Sequence, residues 1–160
     1  MVDKYFFEDL QIGDRWTSPA RTVTETDVVN FAGITGDFDP LHVDHEFARR
    51  TPYHRPIAHG LLGLAWAAGL ASQCPRVHTV AFVAVRNWEF HRPIYISDTL
   101  HVVSSVLDKK ASGRRAGLIL WRREVINQAG IIVQSGIFET LVATRYVGAR
   151  RQEQSEPQPV

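Results

Sequence analysis

A chain of 160 residues with 18 Lys and Arg against 17 Asp and Glu, a net charge of +1 and 44% hydrophobic residues has the composition of one ordinary globular domain, and at about 150 residues such a domain buries roughly 70% of its unfolded surface. So balanced a charge generates no field to gather phosphates, which excludes nucleic acid as a partner. The single cysteine, Cys74, excludes an internal disulfide and a multi-cysteine zinc site, and fits a reducing cytoplasm.

The opening MVDKYFFEDLQIGD carries acidic residues and no long apolar run, so no signal peptide and no export are expected. A first strand is expected near residues 14–21. Thr24 followed by Asp27 resembles a capping box with Asp in the Glu position, and Val28, Val29, Phe31, Ala32 and Ile34 supply an apolar face before Gly36; this predicts a helix over 24–35. The next stretch, GDFDPLHVDHEFA, crowds Asp37, Asp39, His42, Asp44 and His45 together. Gly36 and Pro40 punctuate it, so Asp37 and His42 are expected on an irregular, backbone-constrained loop able to aim two side chains at one point. A carboxylate and an imidazole so placed can share acid and base work, worth roughly 10² to 10⁴ in rate. The loop is therefore the candidate active site.

A short helical turn capped by Asp44 is expected over 44–50, then an irregular connection through Pro52 and Pro56 to His59 and Gly60. LLGLAWAAGLASQ, residues 61–73, is apolar on nearly every side and predicts a central buried helix. Its apolar core, 61–71, is about half the length of a membrane span. Four strands rich in β-branched and aromatic residues follow, over 79–90, 99–109, 116–127 and 131–146. Hairpin turns around Gly113 and ending at Gly130 make at least three of them sequential and antiparallel. The order predicts a single α+β domain over 1–147, a curved antiparallel sheet wrapped around one apolar helix. The polar, proline-bearing end, 148–160, is expected to be a disordered tail. Apolar surface and sheet edges left open by one copy predict a homodimer, with higher assembly open.

GDFDPLH at 36–42 followed by Phe47-Ala48, RPIAHGLLGLAW at 55–66 and FHRPIYISDTL at 90–100 together resemble the MaoC-like dehydratases, the hydratase-2 family of (R)-specific enoyl-CoA hydratases. The resemblance covers about residues 5–146. It implies the hotdog fold, and reversible syn addition of water to a trans-2-enoyl thioester, giving the (3R)-hydroxyacyl thioester. It also implies Asp37 and His42 as the catalytic pair, Asp37 as the base orienting water and His42 sharing that water. Gly60 matches the family's glycine at the start of the central helix, where a free N–H would stabilise the enolate-like thioester oxygen. Coenzyme A belongs to the substrate, and no metal or other cofactor is implied. The family usually has Asn where this chain has Asp39; the change replaces a donor by an acceptor and adds a negative charge two residues from Asp37, and a loop-stabilising contact is expected of it.

Simpler readings stand beside these. Asp37, Asp39, His42 and Asp44 are all ligand types, but the spacing lacks the glycine and terminal glutamate of a calcium loop. His45 and His54 read as exposed loop residues, and His59 as a brace for the loop. Ala68 and Ala71 are candidate substrate-binding positions, because small side chains beside the acyl chain would leave room for medium-length or branched groups, although such residues often serve only packing. Arg86, Arg92 and Arg122 are candidates for the coenzyme A phosphates, with no ground for choosing among them. A hotdog thioesterase and a noncatalytic acyl-thioester-binding subunit are the competing functions. Acyl length, branching, terminal charge and the choice between coenzyme A and acyl-carrier-protein thioesters are not set by the shared motifs.

Overall fold

The computed structural model describes residues 4–146; the expected tail at 148–160 lies outside the described residues. After a turn of 3-10 helix at Phe7–Asp9, the elements are β1 (Arg15–Thr17), β2 (Arg21–Thr22), α1 (Glu25–Thr35), α2 (Pro40–Val43), α3 (His45–Ala48), α4 (Gly60–Ala71), β3 (Thr79–Phe90), β4 (Thr99–Ser112), β5 (Ala116–Ile126) and β6 (Ile132–Ala143). The sheet order is β1-β4-β5-β6-β3, all antiparallel, with β2 also on β4. This is the expected hotdog architecture, a long antiparallel sheet around one helix. No helix among the described residues is long and apolar enough to cross a membrane.

The helix starts follow from local chemistry. Thr24 accepts from the Asp27 N–H while the Asp27 carboxylate accepts from Thr24, and Gly36, left-handed at φ 77°, returns its N–H to the Ala32 carbonyl; both ends of α1 are thereby satisfied. Three expectations need correcting. The strand near 14–21 is two short strands, because Pro19 has no N–H to give the ladder. The last strand ends at Ala143 rather than running to residue 146. Most relevant to the site, His42 lies on a helical turn rather than on an irregular loop. Asp39 caps that turn and Pro40 occupies its first position, where a proline starts a helix instead of breaking it.

Burial explains how α4 is held. Leu62, Trp66, Ala67 and Ala71 join a core with Leu100, Val102, Val106, Ile119, Trp121, Val125, Val133 and Phe138 from the sheet. A side chain on Gly63 would put its Cβ 2.5 Å from the Gln134 amide, so glycine lets Gln134 lie against the helix. Gln134 in turn donates to the Gly60 carbonyl at 3.0 Å and accepts from Trp88 Nε1 at 3.2 Å. A buried amide satisfied on both sides ties the start of α4 to β6 and β3. At the sheet edge, β3 exposes Val80, Phe82, Val83 and Phe90.

Candidate active site

Gly36 ends α1 and turns the chain so that Asp37 follows immediately, its N–H donating to Thr35 Oγ1 at 3.3 Å. Asp37 Oδ1 accepts from the Asp39 N–H at 3.2 Å, and Asp39 Oδ1 accepts from the Leu41 N–H at 2.9 Å. Asp39 thus makes the expected loop contact: its carboxylate caps α2 and its amide orients Asp37. One helical position beyond Leu41, His42 places Nδ1 2.7 Å from the Ile57 carbonyl. A carbonyl only accepts, so Nδ1 carries the proton and, in the neutral ring, Nε2 is left as an acceptor.

His59 completes the cluster. It is 2% exposed, its Nε2 donates to the Asp37 backbone carbonyl at 2.9 Å, and its ring stacks on His42 with centroids 3.8 Å apart. The brace expected of His59 is therefore explicit: it fixes the backbone of one candidate residue and the ring plane of the other. Its Nδ1 is buried without a hydrogen-bond partner. Asp37, His42 and His59 each bring one ligand atom within 4.8 Å of the others, the nearest approach to a metal-ligand set among the described residues. One nitrogen of each ring is, however, already engaged by a backbone carbonyl, His42 Nδ1 by Ile57 and His59 Nε2 by Asp37.

Gly60 opens α4 directly after His59. No side chain caps this helix, so N–H groups of its first turn remain available, with the positive end of the helix dipole behind them. His42, Gly60, Tyr53, Phe90, Arg92 and Gln134 line a cavity of about 300 Å³. The Asp37 carboxylate, 54% exposed, stands 4.0 Å from His59 Nε2 rather than among the lining residues. The structure thus brings Asp37, His42 and Gly60 into one neighbourhood, and it separates Ala68 and Ala71 from them. Those two alanines line a second cavity of about 130 Å³ at the far end of α4.

The three candidate arginines sort themselves. Arg86 is paired with Glu139 at 2.5 Å and Arg122 with Glu124 at 3.3 Å, whereas Arg92 lines the first cavity. His54 is exposed as expected, and His45 is exposed and pairs with Glu25 but opens α3 instead of lying in a loop. Two residues escaped the sequence reading. Gln134 and Arg123 are polar positions on the inward faces of β6 and β5, and a polar residue interrupting an apolar alternation was the signal available for each.

Residues 10–127 match the family described as the MaoC like domain, and the chain belongs to that family of dehydratases. A 3-hydroxybutyryl-CoA dehydratase from Methylorubrum extorquens is 37% identical over 115 residues, covering 71% of this chain and 71% of that protein. An (R)-specific enoyl-CoA hydratase from Rhodospirillum rubrum is 32% identical over 103 residues, 64% of this chain and 69% of that protein. The match to Protein MaoC of Klebsiella aerogenes, 34% over 97 residues, spans 61% of this chain but only 29% of that protein. Among solved structures, a protein described as a monoamine oxidase regulatory protein from Archaeoglobus fulgidus superposes with a TM-score of 0.81 at 35% identity, covering 88% of this chain and 95% of that one.

Proposed function

We propose that the chain is a hydro-lyase that reversibly adds water to a trans-2-enoyl thioester to give the (3R)-hydroxyacyl thioester. The observation that carries this is the meeting of His42 and the uncapped start of α4 on one cavity, with the Asp37 carboxylate 4.0 Å from the His59 ring that stacks on His42. With the thioester oxygen at the Gly60 N–H, negative charge developing on that oxygen as water attacks C3 meets a fixed donor and a helix dipole. Asp37 accepts a proton from the attacking water, and His42 Nε2 holds the same water by accepting its other hydrogen. The water's hydroxide goes to C3 and the proton taken from that water is returned to C2 on the same face, so the reaction balances without electron transfer.

The names of the relatives support a thioester substrate, and coenzyme A as its carrier is part of the proposal, with Arg92 as the cation best placed for its phosphates. A homodimer formed through β3, whose apolar edge is unpaired on one side among the described residues, would cover Val80, Phe82 and Val83. Incubation with crotonyl-CoA separates this reading from a thioesterase. Hydration removes the conjugated-thioester absorbance with no free thiol released; thiol appearing in step with the absorbance loss would replace the hydro-lyase by a hydrolase.

A further inference from the structure

Along β5, Ile119, Trp121, Arg123 and Val125 all turn inward, which leaves a cation among apolar side chains. Arg123 is 8% exposed. Its guanidinium lies 4.3 Å over the Phe138 ring, and Nη1 makes a long 3.4 Å bond to the Ala67 carbonyl. Its Nε is buried and donates to nothing, and no carboxylate among the described residues pairs with it. Burial pushes the guanidinium down to about 10, which still leaves it charged at neutral pH. An unpaired buried charge is costly to the fold unless something supplies its counter-ion.

The surroundings say where that counter-ion would sit. Arg123 lines the second cavity together with Ala68, Ala71, Ser72, Thr79 and Thr140. Thr140 Oγ1 accepts from Trp121 Nε1 at 2.8 Å, so its own hydroxyl proton remains to be donated. Helix periodicity puts Gly60, Leu64, Ala68 and Ala71 on one face of α4. Ala67, whose carbonyl Arg123 touches, lies about 10 Å along the axis from Gly60, a distance that an acyl chain of medium length spans.

We infer that Arg123 receives the terminal carboxylate of a dicarboxylic enoyl thioester whose thioester end lies at Gly60 and whose chain follows Leu64 and Ala68 down α4. The inference rests on the hydro-lyase reading for its thioester end. A guanidinium fork matches a carboxylate in shape and charge, whereas a plain alkyl end would fill the cavity and leave Nε unpaired.

The test compares binding of two saturated, unreactive thioesters, adipoyl-CoA and hexanoyl-CoA, to the full chain. Adipoyl-CoA should bind at least tenfold more tightly to the wild type. The preference should disappear in Arg123→Met and survive in part in Arg123→Lys, with circular dichroism confirming that both variants are folded. Equal or weaker binding of adipoyl-CoA to the wild type, or an undiminished preference in Arg123→Met, overturns the inference. The two readings fail separately. Wild-type hydration of crotonyl-CoA, whose four-carbon chain stops short of the second cavity, without an adipoyl preference removes the carboxylate site and keeps the hydro-lyase. An adipoyl preference in a protein that turns over no enoyl thioester does the reverse.

Discussion

Replacing Arg123 by methionine should stabilise the protein. Burial pushes the guanidinium down to about 10, and a displacement of that size from an ordinary arginine corresponds to about 3 kcal/mol disfavouring the charged form in the fold. Methionine keeps most of the apolar stem and fills similar space. It gives up the contact of the cation with the Phe138 ring, about 1 to 2 kcal/mol when desolvated. The net gain is then about 1 to 2 kcal/mol, or a rise in Tm of about 3 to 6 °C for a domain of this size. Thermal unfolding by circular dichroism near pH 7 reads it, at matched protein concentration because an oligomer's Tm depends on concentration. A base whose folded pKa is depressed binds its proton less well folded than unfolded. The penalty is therefore fully present below the folded value and is relieved as pH rises beyond it, so the gain should be level between about pH 6 and 9 and shrink above about 10. A fall in Tm of 3 °C or more would refute the reasoning, because it would mean that the guanidinium is stabilised by its surroundings and needs no ligand.

Other outcomes follow from the same geometry. Gly60→Ala places a Cβ 2.9 Å from the Phe90 ring, which is half exposed and free to swing, so Tm should change by no more than about 2 °C. Turnover of an enoyl thioester should nevertheless fall at least tenfold, because the methyl group occupies the approach to the helix start; unchanged turnover would remove Gly60 from the carbonyl site. Ala68→Leu, measured across enoyl-CoA chain lengths, should shift the preference to shorter chains by filling the second cavity, and an unaltered profile would mean that the acyl chain does not reach Ala68. Thr24→Ala should cost about 1 kcal/mol in denaturant unfolding through loss of the α1 cap. Desolvation pushes the Asp27 carboxyl up, but hydrogen bonds from Thr24 and the Arg21 cation outweigh it and set its pKa below the ordinary range. A carboxyl depressed in this way contributes stability above about pH 4 that is lost as pH falls through its folded value, so the advantage of wild type over Asp27→Asn should shrink steadily on acidification below about pH 4.

How much of this could be read from the sequence depends on how local each cause is. The ends of α1 were legible because Thr24, Asp27 and Gly36 satisfy the helix with neighbours only a few residues away. The wrapping of the sheet around α4 was legible because a helix apolar on all sides has one way to be buried. Asp37 and His42 stood out by motif, yet their geometry was not readable: Asp39-Pro40 reads equally as a loop breaker and as a helix start, and only the Ile57 carbonyl, fifteen residues on, decides which nitrogen of His42 carries the proton. His59 acts through Asp37, twenty-two residues before it. Arg123 and Gln134 belong to the same class of non-local cause. Their alternation with apolar neighbours was visible in the chain, but what they face depends on strand register and on where α4 lies. The division of the pocket residues between two cavities likewise depends on the length of α4 and not on any motif.

The most direct test of the catalytic assignment is the rate of crotonyl-CoA hydration by Asp37→Asn and His42→Ala set beside the wild type. Asp37 is about half exposed and His42 partly so, so both variants should retain the wild-type circular dichroism spectrum and oligomeric state. Each should lose at least about a hundredfold in turnover, the ordinary size of an acid–base contribution. Either variant folded and hydrating crotonyl-CoA at the wild-type rate would contradict the account.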